Sequence, residues 1–499
     1  MGKPEILRTI RRALSGADGS PYSIIKTSVL LLALMILVSC AVNPVTQKRE
    51  LMLLSRGQEL ALGKQTDQEI LNTYGFYKDE NLNLYINEIG RRIGSLSHQP
   101  DLEYSFKILD SAVVNAFAVP GGFVYTTRGI LVYLNDEAEL TGVLGHEVGH
   151  VAARHSAQLY SRVQLAQIGL GVGAVLSKTV RQYAGVAEAG LSLLFLSFSR
   201  DNERQADDLG VLYSSKAGYD GQRMSNLFVT LQRLNPGEGQ NGLPSWLSTH
   251  PDPPDRIEAI KKAASEWQAA NPEVKVSVNR DQYLRNLEGL IFGEDPRQGY
   301  VEGQVFYHPE LRFQFPVPAN WKLNNTPSQV QMVAKENDGA MLLSIASEKT
   351  PAAAAEAFIS ATKAVLIEQG DEKIGGFLAR RLLFDVTTDQ GQIRGLACFI
   401  QKDEYVYFFL GYATPARFSV YSAVFNQSMK GFKELSDVSK INVKPERLTI
   451  KKITTSKTLG QALQEMGVPQ NRLKELAILN GMELEDKVPA GTLIKTVTK

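Results

Sequence analysis

The chain has 499 residues, 43% of them apolar and 21% charged, and a formal charge of +1. That is too long for one ordinary core, so two or three domains are expected. The near-neutral charge excludes the electrostatic attraction that nucleic-acid binding requires, and there are only two cysteines, Cys40 and Cys398, so acylation of Cys40 would exclude a disulfide framework.

Lys3, Arg8, Arg11, Arg12 and Lys26 precede an apolar run from Thr27 to Val38, which ends in Leu37-Val38-Ser39-Cys40. A dozen or so residues is short of the roughly 20 that a membrane-spanning helix needs, so residues 1–39 read as a signal peptide. The last four residues are similar to a bacterial lipobox, which would make Cys40 the lipidated first residue of the mature chain and its anchor on a membrane surface. Ala41 follows, which in the lipoproteins this segment resembles favours the outer membrane. Removing residues 1–39 takes away five basic and two acidic side chains and moves the formal charge from +1 to −2. Cys398 is then left without a partner and reads as a small buried apolar residue.

From Arg56 to about Leu96 the apolar positions recur at helical spacing, which predicts two helices. Tyr104 to Ile108 alternates at period two, and Val113 to Val119 and Phe123 to Thr127 flank Pro120-Gly121-Gly122, a hairpin signature. Asp136 opens a helix with Glu137 and Glu139 in its first turn and Leu140, Val143, Leu144, Val148 and Val151 on one face. Between Val163 and Phe198 an apolar Gly/Ala-rich stretch is broken by Lys178, Arg181, Gln182 and Glu188, and predicts buried helices over the site rather than membrane spans. Helices are expected over Arg200 to Ala217, Gln222 to Leu234 and Asp255 to about Ala270, followed by a connecting segment from Asn271 to Tyr300.

The helix begun at Asp136 contains His146-Glu147-Val148-Gly149-His150. Two histidines four apart project from one helix face and can reach one ion, while the intervening glutamate stands beside a water rather than on the metal. This is the arrangement of zinc peptidases. A catalytic zinc takes three protein ligands and one open position, and Glu203, four residues before Asp207 on a later helix, is assigned as the third ligand. Asp207 would accept a hydrogen bond from the free ring nitrogen of a zinc-bound histidine. Glu147 is assigned as general base, and one Zn2+ per chain is expected. His155 lies five residues past His150 and is read as pointing elsewhere, with a structural role. His250, in Ser248-Thr249-His250-Pro251, is the candidate for an oxyanion donor or a gating ligand.

Asn115 to Gly122, Asn135 to Leu140, the His146 to His150 motif with Arg154-His155, and Ser199 to Asp207 together resemble the gluzincin family of the CaaX prenyl endopeptidases and HtpX-like proteases, in its periplasmic lipoprotein branch. The resemblance spans about residues 50–270. It implies that the strand holding Asn115, Ala116 and Phe117 borders the cleft and pairs with an extended substrate backbone, a mode that reads little side-chain identity. That would suit a protease of unfolded or misassembled chains in the periplasm.

Beyond Tyr300, Phe306 to Phe315, Val330 to Ala334, Ala340 to Ala346, Phe377 to Val386, Ile393 to Gln401 and Tyr405 to Gly411 are strand-like, with an Ala-rich helix expected from Pro351 to about Gln369. The tail from Leu448 to Val497 reads strand, helix, helix, strand and is similar to a LysM module, with Ser456-Lys457 where Gly-Asp usually stands. The expected fold is thus α+β and multidomain. It comprises a signal peptide (1–39), a mainly helical zincin-type metalloprotease domain with a small sheet (40–299), an α+β accessory domain (300–436) and a small βααβ LysM-like domain (437–499). The expected function is a zinc metalloendopeptidase of envelope protein quality control, lipid-anchored at the outer membrane, with unfolded protein substrates and with peptidoglycan or the outer-membrane assembly machinery as further partners. The alternatives are a chaperone or assembly scaffold with little proteolysis, and a zinc-dependent cell-wall hydrolase.

Overall fold

The computed structural model describes residues 40–167, 197–234, 245–250, 255–388 and 391–499. The expected signal peptide and most of the apolar stretch between Val163 and Phe198 lie outside the described residues. Among those described, no helix is long and apolar enough to cross a membrane.

The chain opens with a small antiparallel pair, β1 (Cys40–Val42) and β2 (Arg49–Leu51). Helix α1 (Arg56–Tyr74) starts at a capping box in which Ser55 and Gln58 satisfy each other's backbone amides. Helix α2 (Glu80–Ser95) buries Leu82, Ile86, Ile89 and Ile93, one face of a 3.6-residue repeat. A three-stranded sheet follows: β3 (Ser105–Leu109), β4 (Ala116–Val119) and β5 (Phe123–Thr127), in the order β3-β5-β4. Strand β4 is therefore an edge. Short helix α3 (Arg128–Tyr133) leads to α4 (Glu137–Ala152), whose N-cap is tied twice: Glu139 N–H donates to Asp136 Oδ1 at 2.8 Å, and Asn135 N–H to Glu139 Oε2 at 2.7 Å.

After α5 (His155–Gln167), helix α6 (Arg200–Lys216) crosses α4 at very close range. A Cβ placed on Gly145 would lie 3.0 Å from the Gly210 carbonyl oxygen, and one on Gly149 would lie 3.1 Å from Leu209 Cβ. These two glycines let the backbones approach, which carries the acidic residues of α6 up to the histidines of α4. Helices α7 (Ser225–Leu234), α8 (Trp246–Thr249) and α9 (Arg256–Ala270) complete the surround. The segment expected to be a connector is structured: α10 (Arg280–Asn286) buries Tyr283 and Leu284 in the core, and Tyr283 Oη donates to the Leu131 carbonyl at 2.8 Å. Strand β6 (Ile291–Phe292) follows it.

The next unit holds a small four-stranded sheet of β7 (Tyr300–Glu302), β8 (Val305–His308), β9 (Phe313–Pro316) and, from later in the chain, β17 (Lys433–Glu434), in the order β17-β9-β8-β7. Phe306 to Phe315 is thus a hairpin rather than one strand, and Arg312, at φ 54°, makes the turn. A large antiparallel sheet is built from β10 (Lys322–Thr326), β11 (Gln329–Val333), β12 (Gly339–Ala346), β13 (Val365–Ile374), β14 (Phe377–Thr388), β15 (Gly391–Lys402) and β16 (Tyr405–Ala413), in the order β10-β11-β12-β16-β15-β14-β13. The helix expected to reach Gln369 ends earlier. Helix α11 (Pro351–Thr362) stops at Lys363, whose φ of 54° breaks it, and Val365-Leu366-Ile367 starts β13 instead. The two faces of the sheet are covered separately: Leu396, Cys398 and Ile400 face the small sheet and α12 (Pro415–Lys430), while Ala397 and Phe399 face α11. Cys398 is a buried free thiol, pushed up to about 12 by burial.

The tail runs β18 (Glu446–Lys452), α14 (Leu459–Glu465), α15 (Leu473–Leu479) and β21 (Leu493–Thr498), with α13 (Val438–Ile441), β19 (Lys457–Thr458) and β20 (Lys487–Val488) as short elements around them. It does not stand apart. Strand β18 lies between β21 and β6, and Leu448, Leu459, Leu476 and Ile494 share one apolar core with α2, α4 and α10. Fully buried Lys495 donates from Nζ to the carbonyls of Val132 at 2.6 Å and Leu134 at 2.8 Å, at the end of α3.

Candidate metal centre

Helical spacing puts His146 and His150 on one face of α4 and Glu203 and Asp207 on one face of α6, and the glycine crossing turns these faces together. Four residues converge: His146, His150, Glu203 and His250, with one potential ligand atom from each within 4.8 Å of all the others. His146 Nε2 and His150 Nε2 are 3.0 Å apart, and His146 Nε2 is 3.3 Å from His250 Nδ1. Glu203 Oε1 is 3.5 Å from His150 Nε2 and 3.1 Å from His250 Nδ1, and Glu203 Oε2 is 3.6 Å from His146 Nε2. Donor atoms around a tetrahedral zinc with bonds of about 2.0–2.1 Å are about 3.3 Å apart, so this set fits that ion in spacing, in number and in chemistry. All four side chains are buried.

The surroundings orient the donors. His146 Nδ1 lies 3.0 Å from Asp207 Oδ1, so the carboxylate accepts its proton and leaves Nε2 facing the cluster. Arg256, in the first turn of α9 and 1% exposed, donates to both Asp207 oxygens at 2.8 and 2.6 Å, and its Nη1 is 3.1 Å from Glu203 Oε2. Its guanidinium also lies 4.3 Å from the Phe228 ring centroid. Nothing in the local sequence singles out this arginine.

Glu147 is 1% exposed and neither carboxylate oxygen has a hydrogen-bond partner among the described residues. Burial pushes its carboxyl above the usual range. Burial also holds His150 well below the ordinary imidazole value, helped by His146. Burial would raise Glu203 and Asp207, but facing charge outweighs it: His250, His146 and Arg256 hold Glu203 low, and His146 and Arg256 hold Asp207 low. His250 shows the converse, since Glu203 and Glu147 raise it against the effect of burial.

His250 ends α8, and that short helix covers the site. Trp246 stacks on His250 with ring centroids 4.3 Å apart, and its backbone N–H donates to the Val114 carbonyl at 3.0 Å. Phe198 lies over the other side, 4.1 Å from the His150 ring, and its N–H donates to the Thr249 carbonyl at 3.3 Å. Ala116 and Phe117 lie on the edge strand β4 and Asn115 directly precedes it, all three buried, while α8 meets this segment at the Val114 carbonyl. His155 does not point elsewhere: its Nδ1 is 2.9 Å from His150 Nδ1. Arg154, at φ 59°, turns the chain between α4 and α5, so a five-residue count along a continuous helix does not apply.

Two histidines of α4 and a glutamate of α6 around one point, with a second buried glutamate between the two histidines, have the donor arrangement of zinc metallopeptidases. Residues 80–264 match peptidase family M48. It is 29% identical over 246 residues to the beta-barrel assembly-enhancing protease of Escherichia coli strain K12, covering 48% of this chain and 49% of that one. Against the putative beta-barrel assembly-enhancing protease of Vibrio cholerae it is 28% identical over 235 residues, covering 46% and 47%. Against the mitochondrial metalloendopeptidase OMA1 of Schizosaccharomyces pombe it is 30% identical over 239 residues, covering 45% and 66%. The match spans about half the length of the bacterial relatives.

Proposed function

We propose that this chain is a zinc metalloendopeptidase that cuts unfolded or misassembled polypeptides of the bacterial envelope and whose site rests in a closed state. The observation that carries the reading is the fourfold convergence of His146, His150, Glu203 and His250 beside Glu147. His146, His150 and Glu203 would hold zinc, which when bound supplies a Lewis acid that acidifies water and polarises a carbonyl. Glu147 would take the proton of the attacking water and return it to the leaving amine. Asp207 and Arg256 keep His146 and Glu203 oriented.

His250 stands where a fourth donor belongs, so in this arrangement it occupies the position that water and substrate need, and we assign it as a gating ligand. Displacing α8 would free that position and uncover the β4 edge at Asn115, Ala116 and Phe117, along which an extended chain can pair. Protein substrates of any sequence suit such backbone recognition. A lipid anchor at Cys40 and residence at the outer membrane rest on the lipobox, and the names of the bacterial relatives favour work on β-barrel assembly. The burial of Lys495 and Ile494 in the shared core favours a structural role for the tail over a freely tethered glycan-binding module.

Purified full-length chain incubated with an unfolded protein tests the reading. Fragments are expected from the wild type and none from Glu147→Gln at equal zinc content, and equal cleavage by both would refute it.

A further inference from the structure

The two helix-borne histidines are oriented by different means. His146 has a carboxylate behind it, whereas behind His150 stands another imidazole. His150 Nε2 faces the other donors, 3.0 Å from His146 Nε2 and 3.5 Å from Glu203 Oε1. To offer a lone pair there, His150 must carry its proton on Nδ1. The partner of that nitrogen is His155 Nδ1, at 2.9 Å, and an imidazole nitrogen accepts only when it bears no proton. The proton of neutral His155 is then on Nε2, which lies 2.8 Å from Gln205 Oε1. Gln205 sits on α6 between Glu203 and Asp207, so the chain of hydrogen bonds closes on the helix that supplies the carboxylates.

The order can be read in one direction only: His150 Nδ1–H donates to His155, and His155 Nε2–H donates to Gln205. Reversal would place a proton on His150 Nε2, in the middle of the donor cluster. We propose that His155 and Gln205 are positioning residues that lock His150 in its Nδ1-protonated tautomer, as Asp207 does for His146. This rests on His146 and His150 being zinc ligands. A neutral relay adds no negative charge to a site that already buries Glu147, Glu203 and Asp207.

Zinc affinity of the full-length chain, measured by competition with a chelator, tests this apart from activity. His155→Phe keeps the ring volume and removes the acceptor, and is expected to weaken zinc binding roughly 10- to 100-fold. Gln205→Leu should act in the same direction. His155→Asn, whose amide oxygen can stand near the Nδ1 position, should recover most of the affinity. Nitrogen-15 NMR of the zinc-free wild type needs no variant to fold, and should show His150 protonated on Nδ1. Wild-type affinity in both His155→Phe and Gln205→Leu, or a His150 proton on Nε2, would overturn the relay. A wild-type chain without zinc affinity would instead overturn the assignment of the site.

Discussion

Arg256 holds Asp207 in a two-point grip, Nε to Oδ2 at 2.8 Å and Nη2 to Oδ1 at 2.6 Å. The pair is buried, and the same guanidinium reaches Glu203. With zinc present, three buried carboxylates of Glu147, Glu203 and Asp207 are balanced by the ion and this one arginine. Arg256→Ala leaves that charge uncompensated and should destabilise the zinc-free protein by about 3–5 kcal/mol, read from chemical denaturation. Arg256→Lys should recover little, because an ammonium cannot make the fork. Full recovery by lysine would show that charge alone matters.

His250→Ala removes the fourth donor and the surface on which Trp246 stacks. Zinc should be retained by His146, His150 and Glu203, and the release of fragments from an unfolded protein should become faster. Slower release at full zinc content would instead assign His250 to stabilising the reaction's oxyanion.

Lys495→Met tests the docking of the tail. The substitution leaves the carbonyls of Val132 and Leu134 without the Nζ donor and should cost about 1–3 kcal/mol. Because β18 and β21 share a core with α4, unfolding of the tail and of the metallopeptidase unit should coincide in one transition. Two separate transitions would mean that the tail folds independently.

His308 supplies a pH dependence. Burial pushes its imidazole down to about 4, and the Leu311 N–H donates to its Nδ1 at 3.2 Å. Between about pH 6.5 and 4 the unfolded chain binds a proton that the folded one refuses, so stability is full above that window and is lost as pH falls through it. His308→Gln should flatten this part of the profile by on the order of 2 kcal/mol, measured by denaturation at pH 7 and pH 4.5. An unchanged slope would remove His308 as its source.

The parts of the site that follow helical periodicity were legible in the sequence. His146, His150, Glu203 and Asp207 are placed by four-residue spacing within single helices, and Asp136 announces its helix by capping. What was hidden depends on tertiary contact or on a break in periodicity. His155 escapes a helical count because the path from His150 passes through the left-handed Arg154. Arg256 meets Asp207 across 49 residues of chain, and a buried arginine looks like any other in a charged helix. The same holds for Lys495, which sits in a polar-looking strand yet is wholly buried against α3. In the accessory unit, the alanines of α11 carried the helical signal past Lys363, although the β-branched residues after it favour a strand.

X-ray absorption at the zinc edge of the full-length chain tests the central claim most directly. One zinc per chain with only nitrogen and oxygen neighbours at about 2.0–2.2 Å, three of them imidazoles in the wild type and two in His250→Ala, is the result that four converging donors predict. A chain that holds no zinc, or whose zinc environment is the same in His146→Ala, His150→Ala and Glu203→Ala as in the wild type, would contradict it.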